Sequence, residues 1–296
     1  MPASTAALPA AQAGTITLGG DLTVNRLGFG AMRITGKGIW GPPEDRNAAL
    51  ATLRRAVELG VNFIDTADSY GPDVSEELIA EALAPYPAGL VIGTKVGWTR
   101  HGPGVWQHNA SPAHIEQAIE GSLKRLRLER IDLYQLHVPD PATSFDASME
   151  ALARLRAQGK VRHVGLSNVT LEHIRRAEKI VPIVSVQNRY SFSDREWDFV
   201  VDYCAANGIA FLPWGPMAQG KKANEAVETI AAARNTSTAV VSLTWLLRRA
   251  PVILPIPGTG SVKHLEENVS AAAFRLTDEE FAALNAVVPQ PYWLRG

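Results

Sequence analysis

Four residues that can take part in proton transfer stand at the ends of three short apolar stretches. Asp65 and Tyr70 follow residues 61–64, Lys95 follows residues 90–93, and His137 follows residues 131–136. An ammonium beside a tyrosine favours the phenolate, and a carboxylate beside that ammonium keeps it charged. A histidine nearby can orient a substrate oxygen. If the chain brings the four together, they predict a site in which Tyr70 donates a proton.

Each of these residues also has a structural explanation. A single Asp–Lys pair, a tyrosine in a loop and a histidine after an apolar strand are all common without any catalytic role. The four stand together at the ends of successive stretches, and neighbouring strands lie only about 4.8 Å apart. Their joint occurrence therefore favours a functional site.

Short apolar stretches alternate with amphipathic ones along most of the chain. Such runs predict parallel strands covered by helices. The stretches are residues 27–30, 61–64, 90–93, 131–136, 161–166, 183–186, 209–212 and 252–256. Eight units predict an α/β fold of the (β/α)8 TIM-barrel type. The alternative, a doubly wound open sheet, is disfavoured because the glycines that end the first stretch do not form the pattern G-x-G-x-x-G.

The predicted barrel is one domain over residues 1–296, with two additions and a flexible tail at residues 1–14. Residues 15–18 and 22–24 flank a Gly-rich turn and predict an N-terminal β-hairpin. A C-terminal extra helix and tail follow the eighth unit. Helix starts are predicted by capping-box spacings, Asp73 with Glu76 and Thr277 with Glu280, and by Ser111 before a proline. Helix ends are predicted at Gly60, Gly159 and Gly208.

Composition argues against several other classes of protein. The 296 residues carry a net charge of −1, so nucleic acid and anionic membranes are not expected partners. No stretch reaches the length of a membrane span. The single cysteine, Cys204, is expected to be a buried core thiol and permits no internal disulfide. We expect a cytoplasmic protein, either a monomer or a weak homo-oligomer, with no metal.

Six ordered motifs resemble those of the aldo-keto reductases, over residues 27 to about 268. The most specific is Asn-Phe-Ile-Asp-Thr-Ala-Asp-Ser-Tyr-Gly at residues 62–71. The others are Thr94-Lys95, Gln135-Leu136-His137, Gly165-Leu166-Ser167-Asn168, Val186-Gln187-Asn188 and Ile256-Pro257-Gly258-Thr259-Gly260-Ser261. The resemblance implies NADPH-dependent reduction of an aldehyde or ketone, a small-molecule carbonyl, to an alcohol. Tyr70 would be the general acid, Lys95 would lower its pKa, Asp65 would pair with Lys95 and His137 would orient the carbonyl.

The resemblance also implies a site for NADP(H). Its predicted residues are Gly30, Ala31, Met32, Ser167, Asn168, Gln187, Trp214, Gly215, Pro216, Met217, Gly220, Gly258, Thr259, Gly260, Ser261, Lys263, His264, Glu267 and Asn268. Trp214 would stack on the nicotinamide, and the loop from Gly258 would meet the adenosine phosphate. Many members of the family have Lys at position 258 and Arg at position 264. This chain has neither, which leaves Ser261, Lys263 and His264 for the 2′-phosphate.

Substrate residues are predicted in the loops after the first, third and fourth strands and in the C-terminal tail. Trp40, Trp98 and Trp106 suit a flat or aromatic substrate, with Ile39 and Trp293 as further candidates. The chain looks closest to bacterial members related to pyridoxal reductases, which makes pyridoxal a candidate. Arg100, His101 and His108 are expected either to meet a polar or phosphorylated substrate or to form a solvated loop.

Two other functions stay open on the same fold. One is a Schiff-base lyase or aldolase with Lys95 as the nucleophile, which a neighbouring Asp65 disfavours by keeping the amine protonated. The other is a non-catalytic NADPH-binding sensor or regulatory subunit, like the potassium-channel β subunits.

Overall fold

The computed structural model of the protein describes residues 8–217 and 221–287. A 3-10 helix, Pro9–Ala13, precedes an antiparallel hairpin of β1 (Thr15–Leu18) and β2 (Leu22–Asn25), so the predicted hairpin is confirmed. The predicted flexible tail is wrong for residues 8–14. Ala10 is fully buried there, and its N–H donates to the carbonyl of Leu59. Residues 1–7 lie outside the described part.

Seven parallel strands form the central sheet of this α/β fold, in the spatial order β11-β10-β9-β8-β5-β4-β3. The strands are β3 (Phe29–Gly30), β4 (Phe63–Asp65), β5 (Val91–Val96), β8 (Ile131–Leu136), β9 (Val161–Ser167), β10 (Ile183–Gln187) and β11 (Ala210–Phe211). Most are rich in aliphatic side chains, and most of their residues are buried, as expected for a sheet covered on both faces.

The eighth predicted stretch, residues 252–256, has no assigned strand but joins the two edges of this sheet. On one side Phe211 N donates to Val252 O, and Leu254 N donates to Phe211 O, both at 2.9 Å. On the other side Gly28 N donates to Pro255 O at 2.9 Å. Proline at position 255 has no N–H to give to a ladder, which limits regular pairing here.

Helices follow the strands, and their buried faces have helical spacing; in α3 these are Ile115, Ile119, Ser122 and Leu126. The helices are α1 (Arg46–Glu58), α2 (Val74–Leu83), α3 (Pro112–Leu126), α4 (Phe145–Ala157), α5 (Leu171–Ala177), α6 (Asp198–Asn207), α7 (Lys221–Ala233), α8 (Thr238–Arg249), α9 (Val262–Ser270) and α10 (Asp278–Asn285). The C-terminal extra helix is thus confirmed as α10, whereas the tail beyond residue 287 lies outside the described residues.

Most of the predicted helix ends are confirmed. Ser111 accepts from His114 N, and Thr277 forms a capping box with Glu280. Gly60, Gly159 and Gly208 all have positive φ. The predicted box of Asp73 with Glu76 is wrong: Asp73 has φ 68° and no capping bond, and its carboxylate lies 3.2 Å from Arg125 Nη1.

A second antiparallel hairpin is formed by the segment for which the sequence analysis gave a solvated loop as one option. It consists of β6 (Trp98–Gly102) and β7 (Val105–His108), directly after β5. Elsewhere Cys204 is fully buried, as predicted. Among the described residues, no helix has the length and apolar character needed to cross a membrane.

Candidate active site

Lys95 lies at the centre of the predicted catalytic group and is fully buried at the end of β5. Its Nζ donates to Asp65 Oδ2 at 2.6 Å, to the carbonyl of Thr66 at 2.8 Å and to the hydroxyl of Tyr70 at 3.3 Å. All three protons of the ammonium therefore have an acceptor. Burial alone would lower the pKa of Lys95, but Asp65 and Tyr70 outweigh it and raise that pKa above its ordinary value.

Asp65 accepts hydrogen bonds from both sides of the site. Its Oδ2 holds Lys95, while its Oδ1 accepts from Gln135 Nε2 at 3.1 Å and from Gln187 Nε2 at 2.9 Å. Gln135 was quoted within a motif but given no role. Gln135 lies two residues before His137, on the strand that pairs with β5. Alternate residues of a strand point to the same face, so Gln135 lies on the same inner face as His137, one layer deeper. This alternation could have identified Gln135 from the sequence.

Tyr70 and His137 lie edge to face, with ring centroids 5.7 Å apart. Burial is the largest influence on the pKa of Tyr70 and raises it above its ordinary value, although Lys95 acts in the opposite direction. Lys95 therefore acts to lower the pKa of Tyr70, as expected, but burial raises it by more. Burial, followed by the charge of Lys95, holds the pKa of His137 well below its ordinary value, so the ring is neutral. Trp98 packs edge-on against the same ring at 6.5 Å.

Several hydrogen bonds fix the loop that carries Tyr70. Its N–H donates to the carbonyl of Ala67 at 3.2 Å, and its carbonyl accepts from Ser75 N at 3.1 Å. The Ser75 hydroxyl accepts from Thr66 Oγ1 at 2.8 Å and donates to the carbonyl of Ala31 at 3.1 Å. The tyrosine is therefore held between the strand that ends in Asp65 and the segment after β3.

A cavity of about 620 Å³ opens above these residues. Its predicted wall residues are Gly30, Met32, Asp65, Tyr70, Trp98, Trp106, His137, Ser167, Asn168, Gln187, Trp214, Gly215, Pro216, Met217 and Gly258. On the same wall, Arg33 and Arg189 were not predicted, and Ile256 and Pro257 belong to a quoted motif but had no predicted role. Arg33 and Arg189 directly follow predicted segments, and extending each segment by a residue would have included them.

A second cavity of about 500 Å³ shares Met217 and Gly258 with the first. It is also lined by the predicted residues Thr259, His264, Glu267 and Asn268, and by residues of α7 and α8 that sequence reasoning missed. The two adjacent cavities mark a path from Tyr70 towards α9. Ser261 caps α9 by accepting from His264 N, so the path ends beside a helix N-terminus, which suits an anionic group.

The loops after β3 and after residue 256 approach each other too closely for side chains on their glycines. A Cβ on Gly258 would lie 2.5 Å from the carbonyl oxygen of Gly30, and one on Gly30 would lie 2.6 Å from that of Ile256. The lysine that many family members carry at position 258 would not fit this backbone. At Trp214 the indole is 37% exposed, and its Nε1 donates to Asn168 Oδ1 at 3.1 Å.

Some predicted cofactor and substrate residues do not line either cavity. Ala31 is buried beneath the first, Gly260, Ser261 and Lys263 lie beside the second, and Gly220 lies outside the described residues, as does Trp293. Trp40 lines neither cavity, and its ring centre lies 5.6 Å from the guanidinium of Arg100. The guanidinium of Arg100, for which contact with a polar substrate was one of two options, donates to backbone carbonyls.

Comparison with known proteins identifies the family of this chain. The model of the aldo/keto reductase family matches residues 26–289, and the chain belongs to that family. The predicted family and the predicted oxidoreductase class are both confirmed.

Individual relatives agree with this assignment. The chain is 48% identical to an uncharacterized oxidoreductase of Schizosaccharomyces pombe, over 96% of this chain and 92% of the relative. It is 42% identical to pyridoxine 4-dehydrogenase of Escherichia coli, over 92% of this chain and 98% of that protein. Among solved structures, an aldo-keto reductase from Klebsiella pneumoniae in complex with NADPH superposes with a TM-score of 0.78 at 26% identity, covering 94% of this chain and 96% of that one.

Proposed function

We propose that this oxidoreductase reduces an aldehyde or ketone to an alcohol with NADPH, and that Tyr70 is the proton donor. The observation that carries the proposal is that Tyr70 lines a cavity of about 620 Å³ while its hydroxyl accepts a hydrogen bond from the buried Lys95 at 3.3 Å. A proton donor of this kind serves a reaction in which negative charge develops on a substrate oxygen.

Four residues have separate roles in proton transfer. Burial keeps the proton on Tyr70 at neutral pH, because it raises the pKa of the phenol. Lys95 stabilises the phenolate that remains after the proton has moved to the carbonyl oxygen, and Asp65 keeps Lys95 charged. His137 is neutral and can donate one hydrogen bond to the same oxygen, which orients the carbonyl. Bound NADPH supplies the hydride that adds to the carbonyl carbon.

The two adjacent cavities support the binding of NADP(H). The carboxamide would be held by three polar residues of the cavity wall, Ser167, Asn168 and Gln187, while the exposed face of Trp214 would stack on the ring. Glycines 30 and 258 allow backbone to approach phosphates closely. The first turn of α9, with His264, and the adjacent Ser261 and Lys263 would meet the adenosine 2′-phosphate.

The relatives and the cavity walls together favour a flat, aromatic substrate. Trp98 and Trp106 line the same cavity as Trp214, and their rings lie 5.8 Å apart in an edge-to-face arrangement. Because a relative at 42% identity is a pyridoxine 4-dehydrogenase, pyridoxal is the first substrate to test. We also infer a single domain whose sheet closes into a (β/α)8 barrel, since residues 252–256 bond to both of its edges.

Two rivals are less consistent with the site. A Schiff-base lyase needs a neutral amine, whereas Asp65 and Tyr70 raise the pKa of Lys95. A non-catalytic NADPH sensor has no need of the hydrogen bonds between Lys95, Asp65 and Tyr70. The absence of a metal, a cytoplasmic location and a monomeric or weakly oligomeric state remain predictions.

The test is oxidation of NADPH in the presence of pyridoxal and 4-nitrobenzaldehyde, with Tyr70→Phe as the variant. We expect kcat to fall by about 10²- to 10⁴-fold, with the Kd for NADPH unchanged. Tyr134→Phe is the matched control: Tyr134 is also a buried tyrosine, and its hydroxyl has no partner among the described residues. Tight NADPH binding without turnover of any carbonyl would instead favour the sensor.

A further inference from the structure

Arg100 of the β6–β7 hairpin donates to four backbone carbonyls from three segments of the chain. Its Nε donates to Val105 O at 3.1 Å within the hairpin. Its Nη1 donates to Ile39 O at 3.0 Å and to Ser69 O at 3.2 Å, and its Nη2 donates to Gly38 O at 3.3 Å. The side chain therefore ties the hairpin to the loop after β3 and to the loop of Tyr70.

The same guanidinium also fixes an aromatic wall of the active-site cavity. It lies over the ring of Trp106, with Arg100 Cζ 3.7 Å from the ring centre. Trp106 lines the cavity and packs against Trp98, which in turn contacts His137. Because Ser69 directly precedes Tyr70, one side chain touches both the support of the wall and the backbone beside the proton donor.

The charge of Arg100 is stabilised by backbone dipoles. The residue is 8% exposed, and within residues 8–217 and 221–287 no carboxylate forms an ion pair with it. Four of its five N–H groups point at carbonyl oxygens, a planar pattern that a lysine ammonium cannot reproduce. Such a guanidinium is not available to grip a substrate anion. Its fixed position instead makes it part of the framework of the cavity.

We propose that Arg100 is a positioning residue for the reductase reaction: it holds the Trp106 wall and the Tyr70 loop in one geometry, so that an aromatic carbonyl reaches the Tyr70 hydroxyl. The inference rests on the proposed function. Arg100 itself touches neither the substrate nor the cofactor, so its removal changes the placement of the substrate and leaves the binding of NADPH intact.

The test compares Arg100→Gln and Arg100→Lys with the wild type, using neutral 4-nitrobenzaldehyde and anionic 4-carboxybenzaldehyde. We expect kcat/KM to fall on the order of tenfold to a hundredfold for both aldehydes, since small misplacements of a substrate have effects of this size. KM should rise more than kcat falls, lysine should not rescue, and the Kd for NADPH should stay the same. If Arg100→Gln does not fold, Arg100→Lys alone decides the question.

Arg26, which is half-buried, provides a control for the loss of an arginine that binds backbone carbonyls. It also donates to three backbone carbonyls, those of Leu247, Ala250 and Ile253, and it does not line the active-site cavity. We expect Arg26→Gln to lower the melting temperature and to leave kcat/KM unchanged in the folded enzyme. If Arg100→Gln behaves in the same way, Arg100 only stabilises the fold and the proposal is wrong.

Two further outcomes separate the remaining explanations. A loss confined to the carboxylate substrate would make Arg100 a substrate-binding residue and would overturn the proposal. In a double-mutant cycle, Arg100→Gln and Trp106→Phe should be less than additive in their effects on kcat/KM, because each disturbs the same wall; full additivity would also overturn it. Absence of wild-type turnover would refute the proposed function itself and is measured first.

Discussion

Replacing Asp65 by Asn tests whether the buried ion pair with Lys95 has the electrostatic role that the site implies. Both partners are almost completely buried, with side-chain exposures of 0% for Lys95 and 4% for Asp65. Removing one partner of such a pair leaves an uncompensated buried charge, which costs about 3–5 kcal/mol. In Asp65→Asn the new amide group would in addition either face the ammonium or displace the amides of Gln135 and Gln187.

The variant should also change how stability depends on pH. In the native protein the pKa of Lys95 lies above its unfolded value, because Asp65 and Tyr70 outweigh burial. This stabilisation is complete below the unfolded pKa and is lost only as the pH rises through the higher native pKa, so Lys95 gives no slope near neutral pH. Without Asp65, burial should bring the native pKa of Lys95 below the unfolded value. The unfolded chain then binds a proton that the native protein lacks, and the variant becomes more stable as pH rises.

The measurement is urea unfolding of wild type and Asp65→Asn from about pH 6 to about pH 10, the range that leads up to the ordinary pKa of lysine. The difference between the two proteins cancels groups that titrate alike in both, and it should shrink by up to about 1.4 kcal/mol per pH unit. Glu116→Gln, which breaks an exposed pair with Arg154, should show no such slope. Parallel curves for wild type and Asp65→Asn, or a loss below about 1 kcal/mol, would refute the reasoning.

Three further changes follow from particular contacts. Gly258→Ala places a Cβ 2.5 Å from the carbonyl oxygen of Gly30, so we expect a loss of about 1–3 kcal/mol in the free energy of unfolding, together with weaker NADPH binding by fluorescence titration. Trp214→Ala removes the exposed indole of the cavity wall; losing about 1 kcal/mol of stacking should raise the Kd for NADPH about fivefold. Thr277→Ala removes the cap of α10 and should cost about 1 kcal/mol in urea unfolding, with no change in turnover.

Much of the site could be predicted because it depends on strand order. Asp65, Lys95 and His137 end or directly follow strands that are neighbours both in sequence and in the sheet, apart from the β6–β7 hairpin inserted after Lys95. In a parallel sheet such residues must meet at one edge. The first and last strands were harder to place. Regular pairing is limited to Phe29–Gly30 at one edge, and residues 252–256 contain a proline, Pro255, within a bonded but irregular segment.

The remaining features depend on long-range contacts that local patterns do not contain. The β6–β7 hairpin has few apolar residues. It is held in place by Arg100, which donates to the carbonyls of Gly38, Ile39 and Ser69 in distant parts of the chain. The alanine-rich segment before the first hairpin is predicted from the sequence to be a flexible tail. Its 3-10 helix is ordered because Ala10 binds Leu59, at the end of α1. Asp73 lies at the N-cap position of α2, but its carboxylate forms an ion pair with Arg125 of α3 and does not cap the helix.

The hydrogen bonds of Asp65 connect the residues proposed for proton transfer with a residue proposed to bind the cofactor. The sequence motifs do not show this connection. One oxygen of its carboxylate holds the ammonium behind Tyr70, and the other holds Gln187, a residue proposed to meet the nicotinamide end of the cofactor. Because Oδ1 also accepts from Gln135, the carboxylate cannot turn to favour one half without breaking a bond to the other. The position of Lys95 and that of Gln187 are thus set by one rigid group. For this reason a change at Asp65 should affect proton donation and cofactor binding together, whereas Tyr70→Phe should affect proton donation alone.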